Sequence, residues 1–188
     1  YATRRNRWEP LVEVTQMKGD GEAHPLLSPT DEFADFETWD KGGINSPKPK
    51  TPDMLPSEYA RAALKRGMQY EEKLGINPFK FGMVGSTDSH TALATTDEAQ
   101  YFGKITILEP APSEERFYEL VAGRTNPDRL DIGIEAWQVS SSGLVGVWAR
   151  ENSREALWDA MKRKEVYATT GTRPRVRAFG GCNFPAGD

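Results

Sequence analysis

The stretch Phe79-Lys80-Phe81-Gly82-Met83-Val84-Gly85-Ser86-Thr87-Asp88-Ser89-His90 decides how the chain is read. A short apolar run predicts a buried strand ending near Val84. It stops in small residues and then presents Asp-x-His. A strand end holds the backbone still, and Gly85 and Ser86 leave room for a cation. Asp88 offers a hard oxygen and His90 an imidazole nitrogen. In extended chain, residues two apart point the same way, so both reach toward one centre. Carboxylate with imidazole suits Zn, Mn or Fe better than Ca. The competing local reading has Asp88 capping the next turn and His90 as an ordinary polar residue. Scarcity favours the site. His24 and His90 are the chain's two histidines, and both lie in polar, Gly-containing segments.

Working outward, Leu11 to Met17 reads as a strand with Leu11, Val12 and Val14 apolar. It empties into Lys18-Gly19-Asp20-Gly21-Glu22-Ala23-His24-Pro25. Polar loops at strand ends are where open α/β sheets and barrels build sites. The loop carries Lys18, Asp20, Glu22 and His24, where a plain surface turn needs none of these together. Ser28 to Pro56 is broken by prolines. Phe33, Phe36 and Trp39 recur at helical spacing, which predicts one short helix with an aromatic packing face, or the anchors of a lid.

Ser57 opens the clearest helix, running to Leu74 with Gly75 as its C-cap. Ala60, Ala63, Leu64, Gly67, Met68 and Leu74 form its small and apolar face. Strand, helix, strand implies a parallel sheet. Ser113 is expected to cap a further helix. Ile132 to Val139 reads as a strand, Leu144 to Ala149 as an apolar segment, and Asn152 or Ser153 starts a helix through Lys164. Val166-Tyr167-Ala168 begins a last strand ending in Thr169-Thr170-Gly171-Thr172-Arg173. Its hydroxyls and guanidinium suit an oxyanion such as phosphate, and also fit a plain Thr-stabilised turn.

The chain has 188 residues, enough to bury the core of one domain. Hydrophobic residues are 37% and charged residues 28%, with a formal net charge of -4. No basic field therefore argues for nucleic acid. The Lys162-Arg163-Lys164 cluster reads as a helix C-terminus whose cations complement the dipole. Cys182 is alone, so neither a disulfide framework nor a Cys-based zinc site is built. No apolar run approaches the roughly 18 residues of a membrane span.

Several of these segments resemble a family. They are Val12-Glu13-Val14 with Gln16 and Lys18-Gly19-Asp20, then Gly85 to His90, then Val145-Gly146-Val147-Trp148-Ala149 and Ala156 through Gly171. Together they are similar to the bacterial domain of unknown function 3604, which resembles the PHP (polymerase and histidinol phosphatase) metal-dependent hydrolases. The likeness covers nearly the whole chain, and its last segment is long and specific. It implies an α/β fold forming part of a distorted (β/α) PHP-like barrel of about seven parallel strands. It also implies two or three divalent ions at the C-terminal strand ends. PHP proteins close their site with Gly-Ser-Asp-x-His, and here Thr87 is inserted between Ser86 and Asp88. Asp88 and His90 inherit the ligand role. Glu13 falls where PHP proteins place a strand Glu bordering the site. Gln16, Lys18, Asp20, His24, Thr170 and Arg173 join it as substrate-facing or supporting residues.

PHP sites also begin with His-x-His near the N-terminus, and that motif is missing here. The chain starts Tyr-Ala-Thr-Arg-Arg without an initiating Met and ends in an apparent mid-loop. The expectation is that residues 1–188 are the C-terminal portion of a single PHP-like hydrolase domain, dependent on the N-terminal part of its own chain. The function expected is metal-dependent hydrolysis of a small molecule, a phosphoester by resemblance. Metal-activated water would be the nucleophile, and Lys18 and Arg173 would neutralise the oxyanion. Two alternatives stand beside it: an inactive PHP-like binding domain and a non-phosphate amidohydrolase-like enzyme. The resemblance points to a periplasmic or secreted bacterial setting, which nothing in the residues fixes.

Overall fold

The computed structural model describes residues 1–16, 19–38, 40–42, 49–90, 113–114, 118, 120–122, 134–135, 143–170 and 172–181. Helix α1 (Ala2–Trp8) leads into β1 (Leu11–Gln16) and the two-residue β2 (Gly19–Asp20). A 3-10 turn (Leu55–Ser57) precedes α2 (Ala60–Leu74), which is followed by β3 (Gly82–Gly85). The rest comprises β4 (Leu120–Ala122), β5 (Ile134–Glu135), β6 (Leu144–Val147), α3 (Arg154–Arg163) and β7 (Val166–Thr169).

The strand-helix-strand reading holds at β1-α2-β3. The two strands pair in parallel, Leu11 beside Gly82 and Glu13 beside Val84, with a register shift before Thr15 meets Gly85. Helix α2 starts three residues later than Ser57, with Tyr59 extended at the N-cap, and ends where expected on Gly75 at φ 70°. Helix α3 is capped by Ser153, whose side chain accepts from the Ala156 N–H at 3.3 Å. The expected apolar face of α2 is only partly used. Ala60 and Gly67 are buried, whereas Met68 and Leu74 are exposed.

The barrel expectation is overturned. The described strands form one three-stranded sheet of order β2-β1-β3 and two separate pairs, β4-β5 and β6-β7. Among them only β1 and β3 are parallel; every other ladder is antiparallel. A closed parallel barrel needs each strand to ladder with a parallel neighbour on both sides. Here β2 folds straight back on β1 and takes its outer edge. Strands β6 and β7 satisfy each other antiparallel although α3 lies between them. The result is a small mixed α/β structure with three helices and no closed barrel among the described residues.

The other expectations divide. The helix carrying Phe33 and Phe36 is instead a run of turns, with Ala34 N–H bonded to Asp31 O and Phe36 N–H to Phe33 O. Those rings are 73% and 45% exposed, so they are not a core face. Trp39, Cys182 and most of the helix expected from Ser113 lie outside the described residues. Of the strand expected over 132–139, Ile134–Glu135 is described and pairs with β4.

The β6-β7 pair reaches the sheet through backbone contact. At Gly85 a Cβ would sit 2.6 Å from Leu144 O, and at Gly143 it would sit 2.1 Å from Ser86 O. Gly143 is also at φ 92°, which L side chains rarely adopt. Two chain segments therefore touch main chain to main chain, and neither neighbouring atom belongs to a flexible side chain. Gly143→Ala is expected to destabilise the protein by more than about 2 kcal/mol. Gly75→Ala has open space around it and pays only the left-handed backbone term, about 1 kcal/mol. Urea denaturation of both variants checks the difference; equal losses would mean that the Gly143 junction yields.

Candidate functional site

The parallel pairing brings the C-terminal ends of β1 and β3 side by side. The Ser86 N–H donates to Thr15 O at 3.1 Å, continuing the ladder one residue past β3. Gly143 packs on this junction, its ideal Cβ 2.8 Å from the Gln16 Cα. Gln16 Oε1 is buried here without a hydrogen-bond partner among the described residues. Glu13, earlier on β1, is exposed.

Beyond Ser86 the chain leaves the ladder. Asp88 sits in the left-handed region at φ 51°, which Asp tolerates better than most residues. Its Oδ1 lies 3.0 Å from His90 Nε2. The Ser89 N–H is 3.4 Å from Thr87 Oγ1, a weak contact that tightens the turn. The two side chains thus converge at the end of a parallel strand. They do so through a turn, where the sequence reading invoked strand alternation.

A second polar group surrounds the loop after β2. The Asp20 carboxylate accepts from the Glu22 N–H at 2.8 Å and weakly from the Ala23 N–H at 3.4 Å. Glu22 receives Arg61 bidentately, Nε to Oε1 at 2.7 Å and Nη2 to Oε2 at 2.9 Å. The remaining Arg61 nitrogen donates to Asp31 Oδ2 at 2.6 Å. Backbone bonds from Ala60 N–H to Gly21 O and from Arg61 N–H to Glu22 O seat the loop on the start of α2. His24 is buried. Its Nδ1 accepts from the Leu26 N–H at 3.2 Å, which leaves the proton on Nε2 to donate to Asp40 Oδ2 at 2.9 Å. The Tyr59 ring lies 5.2 Å from the imidazole, and burial with the nearby carboxylates of Asp40 and Asp20 raises the Tyr59 phenol pKa.

A cavity of about 860 Å³ opens beside this loop. Asp20, Glu22 and Thr170 line it, together with Phe33, Phe36 and Phe81. The expected site residues therefore fall in two places. Asp88, His90 and Gln16 occupy the strand ends; Asp20 and Thr170 share the cavity, whose wall includes neither Asp88 nor His90. His24 stands behind the loop with both ring nitrogens engaged. Arg173 is exposed, and Lys18 lies outside the described residues. No group of three or more His, Cys, Asp or Glu side chains placed to hold one ion occurs among the described residues.

Arg61, Tyr59 and Asp40 were not anticipated. Arg61 had a signal: a cation in the first turn of a helix opposes the dipole, so it needs an acidic tertiary partner. Asp40 sits among turn residues and had none.

These features define a small mixed α/β protein with a polar site at the ends of its one described parallel strand pair. The chain belongs to the DUF3604 family, described as a protein of unknown function, whose model matches residues 1–188. No curated protein and no solved structure matches it.

Burial pushes the Asp20 carboxyl from its ordinary 3.8 up to about 6, against the pull of the Glu22 and Ala23 N–H groups. With the folded pKa above the unfolded one, the folded protein holds more protons between about pH 4 and 6. Stability from this group therefore falls as pH rises through that window and stays lower above it. Asp20→Asn keeps an oxygen for the Glu22 N–H and removes the charge. It is expected to flatten this fall and to raise stability at pH 7.5 by on the order of 1–2 kcal/mol, after allowing for solvent screening. Urea denaturation at pH 4.5 and pH 7.5 measures it; an unchanged pH profile would place the charge in ordinary solvent.

Proposed function

We propose that this protein is a metal-dependent hydrolase of the PHP type, in which Asp88 and His90 supply two ligands to a divalent ion. One observation carries the reading: the 3.0 Å separation of Asp88 Oδ1 and His90 Nε2 at the end of β3. Two ligands bound side by side to one ion at about 2.1 Å each lie about 3 Å apart. The pair therefore has the spacing of two neighbouring positions in a coordination shell, reached when the imidazole turns its Nε2 from the carboxylate to the ion. The left-handed turn at Asp88 adds support, because backbone held in a sparsely populated region clusters at functional sites. So does the likeness of Gly85 to His90 to the closing motif of PHP hydrolases.

The pair fits part of a shell and no more. The remaining ligands have to come from outside the described residues, and a site of two or three ions requires several. Carboxylate and imidazole suit Zn, Mn or Fe. Such an ion supplies an activated water at neutral pH and a Lewis acid for the attacked group. A phosphoester is the proposed substrate class. Of the two oxyanion-binding candidates near the chain's last strand, Thr170 lines the separate cavity and Arg173 is exposed, so neither is assigned to this substrate. Glu13 and Gln16 border the same strand ends.

Asp88→Ala and His90→Ala are each expected to weaken metal binding by about 10–100-fold or more, since even residues that only support a ligand cost that much. Elemental analysis after dialysis reads the metal content. Hydrolysis of phosphomonoesters, phosphodiesters and carboxylic esters with Mn or Zn reads the activity and the substrate class. Full metal content in both variants would overturn the ligand assignment. Metal lost from both variants, with no hydrolysis by the metal-loaded parent, would identify a binding domain instead of an enzyme.

A further inference from the structure

We propose that the cavity between β1, β3, β7 and the Phe33–Phe36 turns is a binding site for an organic cation, an alkylated ammonium group seated against Asp20 among aromatic rings. The site is separate from the Asp88–His90 pair. At about 860 Å³ it falls within the range of small-molecule pockets.

The argument starts from which charges are already partnered. Arg61 is committed to Glu22 and Asp31. His24 is committed to Asp40. Lys164 also lines the cavity; its ammonium donates to the neutral Lys80 O and makes no ion pair with Asp20, so its charge stays in the wall. Glu22 shares the cavity with its charge answered by Arg61. Asp20 has two backbone N–H groups and no cation within ion-pair distance among the described residues. Among the described residues the cavity thus presents one carboxylate with no ion-pair partner, and its burial already disfavours the ionised form. A ligand cation restores that balance, whereas a neutral ligand buries the carboxylate further and an anion opposes it.

The rest of the wall fits the same ligand. Phe33, Phe36, Phe81 and Tyr167 all line the cavity. Tyr167 is anchored by its hydroxyl donating to Pro174 O at 3.0 Å. Phe33 and Phe36 are exposed on the turns, and both contribute to the cavity wall. Aromatic rings with a carboxylate are the side chains that recognise alkylated ammonium groups. Among the described residues, the titratable and charged groups that act on Asp20 are Glu22 on its own loop and Tyr59 and Arg61 at the start of α2, with Lys164 lining the same cavity.

The test is isothermal titration of the protein with choline, with its neutral carbon isostere 3,3-dimethylbutan-1-ol, and with 3,3-dimethylbutanoate. At pH 8 choline is expected to bind at least about tenfold more tightly than the neutral isostere, with no binding of the carboxylate. The preference should vanish in Asp20→Asn and shrink as pH falls below about 6. Phe36→Ala, at an exposed position, should weaken choline several-fold. Equal binding of choline and its isostere, binding of the carboxylate, an unchanged preference in Asp20→Asn, or no binding of any probe at millimolar concentration would overturn the proposal. None of these readings depends on metal or on hydrolysis, so failure here leaves the Asp88–His90 assignment to its own test.

Discussion

Arg61 fixes the loop on which the rest of the site depends. Its guanidinium meets Glu22 through two parallel bonds and Asp31 through a third, which a Lys could not do. The group is partly exposed, so the net energy is modest. The effect is geometric. With Arg61 in place, the orphan N–H groups of α2 find Gly21 O and Glu22 O, and the loop cannot drift from the helix. The same commitment decides the electrostatics. Glu22 and Asp31 take the cation, and Asp20, two residues from Glu22, has no ion-pair partner among the described residues.

Helices α2 and α3 could be read from the sequence because their signals are local. Gly75 and Ser153 punctuate the chain by backbone conformation and a single hydroxyl. The β1-α2-β3 unit could be read because two apolar runs flank a long helix. The barrel could not, since strand direction depends on partners far away in the chain. Val166 to Thr169 looks the same whether it pairs parallel or antiparallel. Its true partner, Leu144 to Val147, reverses the expected topology. The aromatic turn failed for a related reason: spacing at Phe33 and Phe36 suggested a helical face, while successive three-residue turns gave the rings to a cavity.

The meeting of Asp88 and His90 was legible in the sequence, and the placement of the other expected residues was less so. Asp88 and His90 do meet, because the residues after Gly85 turn back on themselves. Asp20, Glu22 and His24 looked like one cluster. In the structure each has a different role, set by partners the sequence did not flag: Asp40 holds His24, Arg61 holds Glu22, and Asp20 faces the cavity. Interleaved acids and bases in a loop report that charges will be used; which ones remain available depends on tertiary pairing.

The contact between Gly143 and Ser86 has a consequence for the order of folding. Strands β1 and β3, joined by α2, contain everything needed to begin pairing as soon as they leave the ribosome. Their C-terminal ends, however, are packed by a residue that is synthesised much later. Closing so large a loop carries an entropic cost that is met only once β6 and β7 dock. The parallel pair can therefore form early, while the strand ends bearing Gln16 and Ser86 reach their final shape late, after the chain has passed beyond Gly143. A nascent protein at the intermediate stage would carry its parallel pair with these strand ends still unpacked.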